Sequence, residues 1–233
     1  MNELFLVRIF AYSLLPLLLA AGHMLLDKQA STTARRTELV TLYLLAISVG
    51  ANGLGGGFGH LFLSDLVAEG VGWSTGSPFQ LEMGFANLAL GILGIMAIGR
   101  RDGFRAATIV ATTVIGLGAT MVHLQDIAAH GNLAPGNTIQ NIGNLLDPVL
   151  LIGLSWWSAR LIKADGFSNW QVRQQPIVGF AAGGIGMGFG LGYAINSLLL
   201  GTLVGCLIGL AIGIAVHRHR EGEEHQLSVK LAR

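Results

Sequence analysis

Five ionisable side chains stand inside long apolar stretches of this 233-residue chain: His60, Glu82, His123, Asp126 and Asp147. Carrying a charge into hydrocarbon costs about 3 kcal/mol on insertion scales, so such residues are functional candidates by default. Two imidazoles and three carboxylates form a donor set suited to a metal ion, whether zinc, iron, manganese or copper, which leaves redox chemistry open. Glu82 and Asp147 lie full helical turns inside their stretches, and His123 and Asp126, three apart, share one helix face. Glu82, His123 and Asp147 therefore read as the core ligands, with His60 and Asp126 completing or bridging the site. Helical bundles build dinuclear carboxylate sites from inward side chains in this manner, although their Glu-x-x-His order differs from His123-x-x-Asp126 here. Gln80, Asn87 and Asn144 supply amides to orient such ligands, and Arg8 supplies a counter-charge.

The same residues admit other uses. His60 and His123, on two separate helices, suit b-type haem ligation. The carboxylates suit a proton or ion relay. A third reading makes the polar cluster a weld between helices in a non-catalytic subunit of a larger membrane complex. Cys206, the sole cysteine, removes disulfides, Cys-rich zinc sites and CxxC redox pairs. His-Glu-x-x-His is missing, and the last apolar stretch has no Lys for a retinal Schiff base.

The elements that must position these groups follow from composition. Hydrophobic residues make up 52% of the chain and charged ones 12%, about half the charge of an average globular protein. With a mean hydropathy of +0.61, the composition predicts an all-α, polytopic transmembrane bundle. Apolar stretches of helical length cover approximately 4–26, 39–62, 79–98, 106–127 and 142–161, and an uncharged run from Pro176 to Val216 suits two more, turning near Asn196. Charge distribution supports seven spans. Lys28, Arg35 and Arg36, then Arg100, Arg101 and Arg105, then Arg160, Lys163 and Arg173, then the tail's Arg218, Arg220, Lys230 and Arg233 alternate with connections bearing no Lys or Arg. Thirteen of fourteen basic residues thus fall on one side, which puts the amino terminus outside and the carboxyl terminus inside. The first stretch lacks the basic start of a cleaved signal peptide. Trp73, Trp156, Trp157 and Trp170 fit interfacial anchors.

Depth can then be counted from the inner flanks. Glu82 lies 18 residues before Arg100 and His123 lies 18 after Arg105, each about 27 Å from the inner boundary at ~1.5 Å per residue. By the same count Asp126, Arg8 and His60 lie at or beyond about 30 Å and Asp147 at about 20 Å. All six reach the outer third, which predicts an outward-facing His/carboxylate cluster. Pro78, just ahead of the third span, would set the entry geometry of Glu82.

Glycines recur every fourth residue at Gly184, Gly188 and Gly192, and again at Gly201, Gly205, Gly209 and Gly213. Small residues at this spacing let two helix backbones approach closely. The expected organisation is a five-helix core over 1–175 carrying the cluster, a glycine-rich hairpin over 176–216 and a cytoplasmic tail over 217–233. Six glycines within Gly50–Gly59 lie inside a span, without the strand-to-helix setting of a nucleotide loop, and predict a bent or closely packed helix. The expected partners are the lipid bilayer and a second copy or a larger membrane complex; nucleic acid is not among them.

Three segments carry a resemblance: Trp73 to Asn87 (WSTGSPFQLEMGFAN), His123 to Asp126 (HLQD) and Gly143 to Pro148 (GNLLDP). Together they resemble an uncharacterised family of bacterial multi-pass membrane proteins over roughly residues 40–155. The resemblance implies a bacterial cytoplasmic membrane and no particular activity.

Overall fold

The computed structural model describes residues 2–26, 32–98, 100–165, 175–194 and 197–231. Expectations that rest on Lys28, Trp170, Arg173, Asn196 and Arg233 lie outside the described residues. Within them the chain is helical throughout, with no strand.

The first helix, α1, runs through Asn2–Ile9, Phe10–Leu14 and Leu15–Leu26, the middle segment being π-helical. Pro16 explains the local widening. It has no N–H to give the carbonyl four residues back, at Tyr12, and the Ser48 hydroxyl donates to that oxygen at 2.5 Å. Ser48 belongs to α2, which runs through Thr33–Tyr43, Leu44–Ala51 and Asn52–Phe62, again with a π-helical middle. Thr32 caps α2: its backbone is extended and its hydroxyl accepts from the Arg35 N–H at 3.2 Å. The cap starts the helix before its charged first turns, six residues ahead of the apolar stretch read from sequence.

Short α3 (Ser64–Val71) ends on Gly72 with φ +79, and then comes α4 (Phe79–Ala97). Next come α5 (Gly103–His130), the single turn α6 (Pro135–Thr138), α7 (Gln140–Asp165), α8 (Gln175–Ala194) and α9 (Leu198–Leu231). Asp102 caps α5 by accepting from the Phe104 N–H at 3.1 Å, and its hydrogen bonds to the Arg100 guanidinium hold its carboxyl below the usual carboxylate range. That cap is therefore fully charged above the unfolded value near pH ~3.9 and weakens as pH falls through the lower folded value.

Among the described residues five helices are long and apolar enough to cross a membrane: Leu6–Leu26, Thr33–Phe62, Phe79–Ala97, Gly103–His130 and Leu199–Val216. Of these α2 is central, with 72% of its apolar stretch buried against 17–28% for the other four. Glycine makes this position accessible. A Cβ built on Gly53 would stand 2.6 Å from the Gly91 Cα, and one on Gly94 2.7 Å from the Gly50 nitrogen. Thus α2 and α4 cross backbone to backbone. On another side Gly186 of α8 meets the Ala51 carbonyl, closer than any Cβ would allow. In the α8–α9 pair, Gly184 faces the Gly205 carbonyl, Gly188 the Gly201 carbonyl and Gly209 the Phe180 carbonyl, all too close for a side chain.

One end of the bundle is tied by an ion cluster that the sequence reading did not anticipate. Glu38, 3% exposed, accepts from Arg105 Nη1 at 3.0 Å and Nη2 at 3.3 Å, meets Arg101 Nε at 3.1 Å, and accepts from the Ser158 hydroxyl. The cluster joins α2, α5 and α7. Trp156 and Trp157 lie on the nearby exposed face of α7, with the Arg160 guanidinium 3.7 Å above the Trp156 ring.

Two stability changes follow. Gly91→Val forces a side chain into the α2 backbone and is expected to destabilise the fold by roughly 3 kcal/mol, the upper end for overpacking. Glu38→Gln strips two buried guanidinium groups of their counter-charge, at an expected cost of about 3–5 kcal/mol. Thermal unfolding in detergent, followed by circular dichroism, checks both against wild type.

Candidate functional site

A cavity of about 500 Å³ lies towards the end of α2 opposite the Glu38 cluster. Helical spacing builds its walls. Asn52, Gly56 and His60 recur every fourth residue on α2, Gln80, Met83 and Asn87 line α4, and Gln140 and Asn144 lie one turn apart on α7. Arg8 and Tyr12 enter from α1, while Ile115, Gly118, Ala119, Val122 and His123 close the α5 side. Gly56 helps create the space: a Cβ there would lie 3.2 Å from Asn87 Oδ1 and 3.8 Å from Arg8 Nη2.

The polar groups are held by specific bonds. Arg8 donates from Nη1 to Gln140 Oε1 at 3.3 Å and from Nη2 to Asn52 Oδ1 at 3.1 Å. His60 Nδ1 is 2.7 Å from Oε1 of Gln80, which is 2% exposed. His123 Nδ1 is 2.7 Å from Asn137 Oδ1, and its ring stacks on Trp73 with centroids 5.4 Å apart. The tautomer of His123 follows from its neighbours. The Asn137 amide nitrogen donates to Asp126 Oδ2 at 3.1 Å and to the Asn132 carbonyl at 2.8 Å, both acceptors. The Asn137 oxygen must then accept, so His123 carries a proton on Nδ1.

The structure separates the five expected metal ligands. His60 and His123 both line the cavity, but none of the three carboxylates does. Glu82 lies in the first turn of α4 on its exposed face, two residues past buried Gln80. Pro78 does precede the helix, yet it delivers Gln80 rather than Glu82 to the interior. Asp147 is buried away from the cavity, where Oδ2 accepts from the Ser13 hydroxyl at 3.4 Å and Oδ1 has no partner. Asp126 is a structural hub: Oδ2 accepts from Trp73 Nε1 at 2.8 Å, Asn132 Nδ2 at 2.7 Å and Asn137, and Oδ1 lies 2.7 Å from His130 Nδ1. Among the described residues no three His, Cys, Asp or Glu side chains come together as a metal site. Depth counting places residues along helix axes and is blind to rotation about them, which is why a shared level did not make a shared pocket.

The expected supporting residues Gln80, Asn87, Asn144 and Arg8 do line the cavity. Gln140, Asn52 and Tyr12 also line it without having been singled out as site residues. A signal for Gln140 was present, four residues ahead of Asn144 on one helix face. Trp73 is more than an interfacial anchor, since it joins Asp126 to His123.

Asp126→Leu should leave three donors without their acceptor and cost roughly 2–3 kcal/mol, whereas Glu82→Gln, exposed and without a bond to lose, should stay within about 0.5 kcal/mol of wild type. Chemical denaturation of the two variants under matched conditions distinguishes the hub from the bystander.

No characterised protein and no solved structure matches the chain. A family model does match, over residues 7–164, the stretch that contains every residue lining the cavity and stops before α8 and α9. The chain belongs to the family of unknown function DUF6790.

Proposed function

We propose that this protein is a seven-span membrane protein of the bacterial cytoplasmic membrane that binds a small amphipathic organic molecule in its outward half. The observation that carries this reading is the cavity itself. Its lining combines Arg8, Asn52, His60, Gln80, His123 and Gln140 with Leu63, Val67, Phe79, Val114, Ile115 and Val122. A few placed polar groups within an apolar enclosure of this size are the usual make-up of a small-molecule site.

The membrane setting draws support from the five apolar helices and from the outward leucines of α9, with Leu199 74% and Leu207 66% exposed. In this reading α7 and α8 complete the seven spans, and the alternating basic connections put the amino terminus outside and the carboxyl terminus inside. Residues 1–175 carry the binding core, 176–216 form the packed hairpin and 217–233 lie on the cytoplasmic side.

One observation favours a second reading, a proton conduit. Asp147 is 6% exposed, carries an oxygen with no partner, and sits one turn from cavity-lining Asn144. Proton flux into liposomes tests it: Asp147→Asn should abolish a flux that wild type supports, and equal flux from both would sink the idea.

The binding reading is tested by filling the cavity. A Cβ at Gly118 meets nothing within 4 Å, so Gly118→Phe can enter the space without disturbing backbone. In a thermal-shift screen, compounds that raise the Tm of wild type are expected to lose that effect in Gly118→Phe, while the two unliganded proteins unfold at similar temperatures. Equal stabilisation of both proteins by every active compound would place binding elsewhere.

A further inference from the structure

The cavity contains a charge, that of Arg8, which no carboxylate among the described residues balances. Both partners of the Arg8 guanidinium are neutral amide oxygens, those of Gln140 and Asn52. Among the described residues no carboxylate lines the cavity. Buried charges in proteins are paired, because an isolated ion in a low-dielectric interior loses several kcal/mol of hydration. A guanidinium has five N–H donors, so two amide bonds leave most of its donor capacity open.

A second observation points the same way. The side-chain nitrogen of Asn144 is buried and donates to nothing among the described residues. Asn144 lies one turn along α7 from Gln140, the residue that holds Arg8, and lines the same cavity. The amide oxygens of Asn52 and Gln140 face the guanidinium, which leaves their own N–H2 groups as further donors. An acceptor carrying one negative charge answers this set, and the apolar wall at Leu63, Val67 and Phe79 accommodates a hydrocarbon tail.

Building on the small-molecule reading above, we infer that the cavity ligand is a hydrophobic molecule ending in a single anionic group, held by Arg8 and Asn144. The head is a carboxylate or a phosphate; the chemistry they share is a compact anionic acceptor. Arg8 supplies charge and paired donors, Asn144 a neutral donor, and Asn52 with Gln140 fix the guanidinium plane.

The test uses the full chain in non-ionic detergent, with dodecanoate, its uncharged methyl ester and dodecyl phosphate as probes. Native mass spectrometry reads occupancy and thermal unfolding reads stabilisation. Dodecanoate, dodecyl phosphate or both should bind and raise the Tm, with the methyl ester weaker by roughly ten- to a hundredfold, the range of a charge-assisted bond. Which anion binds more tightly identifies the head. Arg8→Gln should lose the preference for the anion, and its unliganded Tm should match or exceed that of wild type, since an unbalanced charge has been removed. Arg8→Lys should restore part of the preference. Should Arg8→Gln fail to fold, Asn144→Asp serves in its place: the added carboxylate should weaken binding of both anions by a larger factor than binding of the uncharged ester. Equal binding of ester and acid, blocked by Gly118→Phe, would overturn the anionic head while leaving the cavity reading intact. If no probe binds, the inference falls; if Gly118→Phe also fails to block compounds found by screening, the small-molecule reading falls with it.

Discussion

Backbone-to-backbone contact along α2 is the constraint from which the other arrangements follow. At Gly50, Gly53 and Gly57 the helix has no side chain to hold α4 away, and Gly84, Gly91 and Gly94 answer from the other side. Contact at that range brings many atoms into van der Waals distance at once, a gain that lipid or detergent cannot match atom for atom. The same helix admits α8 through Gly186. Glycine has a second effect in the next turns. At Gly56 the missing side chain leaves room between Asn87 and Arg8 in the cavity, so one glycine-rich stretch both packs the bundle and opens space within it.

Several polar groups drawn into this interior are answered by specific partners. The Tyr12 carbonyl, denied a partner by Pro16, takes the Ser48 hydroxyl. A comparable vacancy arises at Asn144, four residues before Pro148, and Gly116 of α5 packs against that carbonyl. Glu38 gathers two guanidinium groups and a hydroxyl, and Asp126 gathers an indole and two amides. Beside these pairings, a cation held by neutral oxygens and a donor amide with no acceptor among the described residues line one cavity. In the proposed reading a ligand completes them.

The helices themselves were largely legible. Apolar stretches of spanning length bounded by basic clusters anticipated helices over 2–26, 33–62, 79–97, 103–130 and 140–165, because length and composition are properties of contiguous residues. The Thr32 cap and the turn of α3 escaped notice, since capping and a positive-φ glycine are local details masked by the hydropathy signal. Of the residues singled out for the site, the histidines and amides line the cavity and the carboxylates do not. Glu38 was overlooked because a lone acid beside basic residues reads as solvated surface; only the approach of Arg101, Arg105 and Ser158 from two other helices makes it interior.

Composition and spacing alone determined that the chain is helical, roughly where each helix begins and ends, and how far along its axis each polar residue sits. A rise of about 1.5 Å per residue makes that last quantity additive. Rotation was decided by the tertiary structure. Residues two apart on a helix point in nearly opposite directions, so Gln80 enters the cavity while Glu82 faces outward, and Asn144 lines the cavity while Asp147, three residues on, turns to Ser13. Helices apolar on every side carry no stripe that announces their inward face. Which side faced in was settled by where glycine let one backbone reach another.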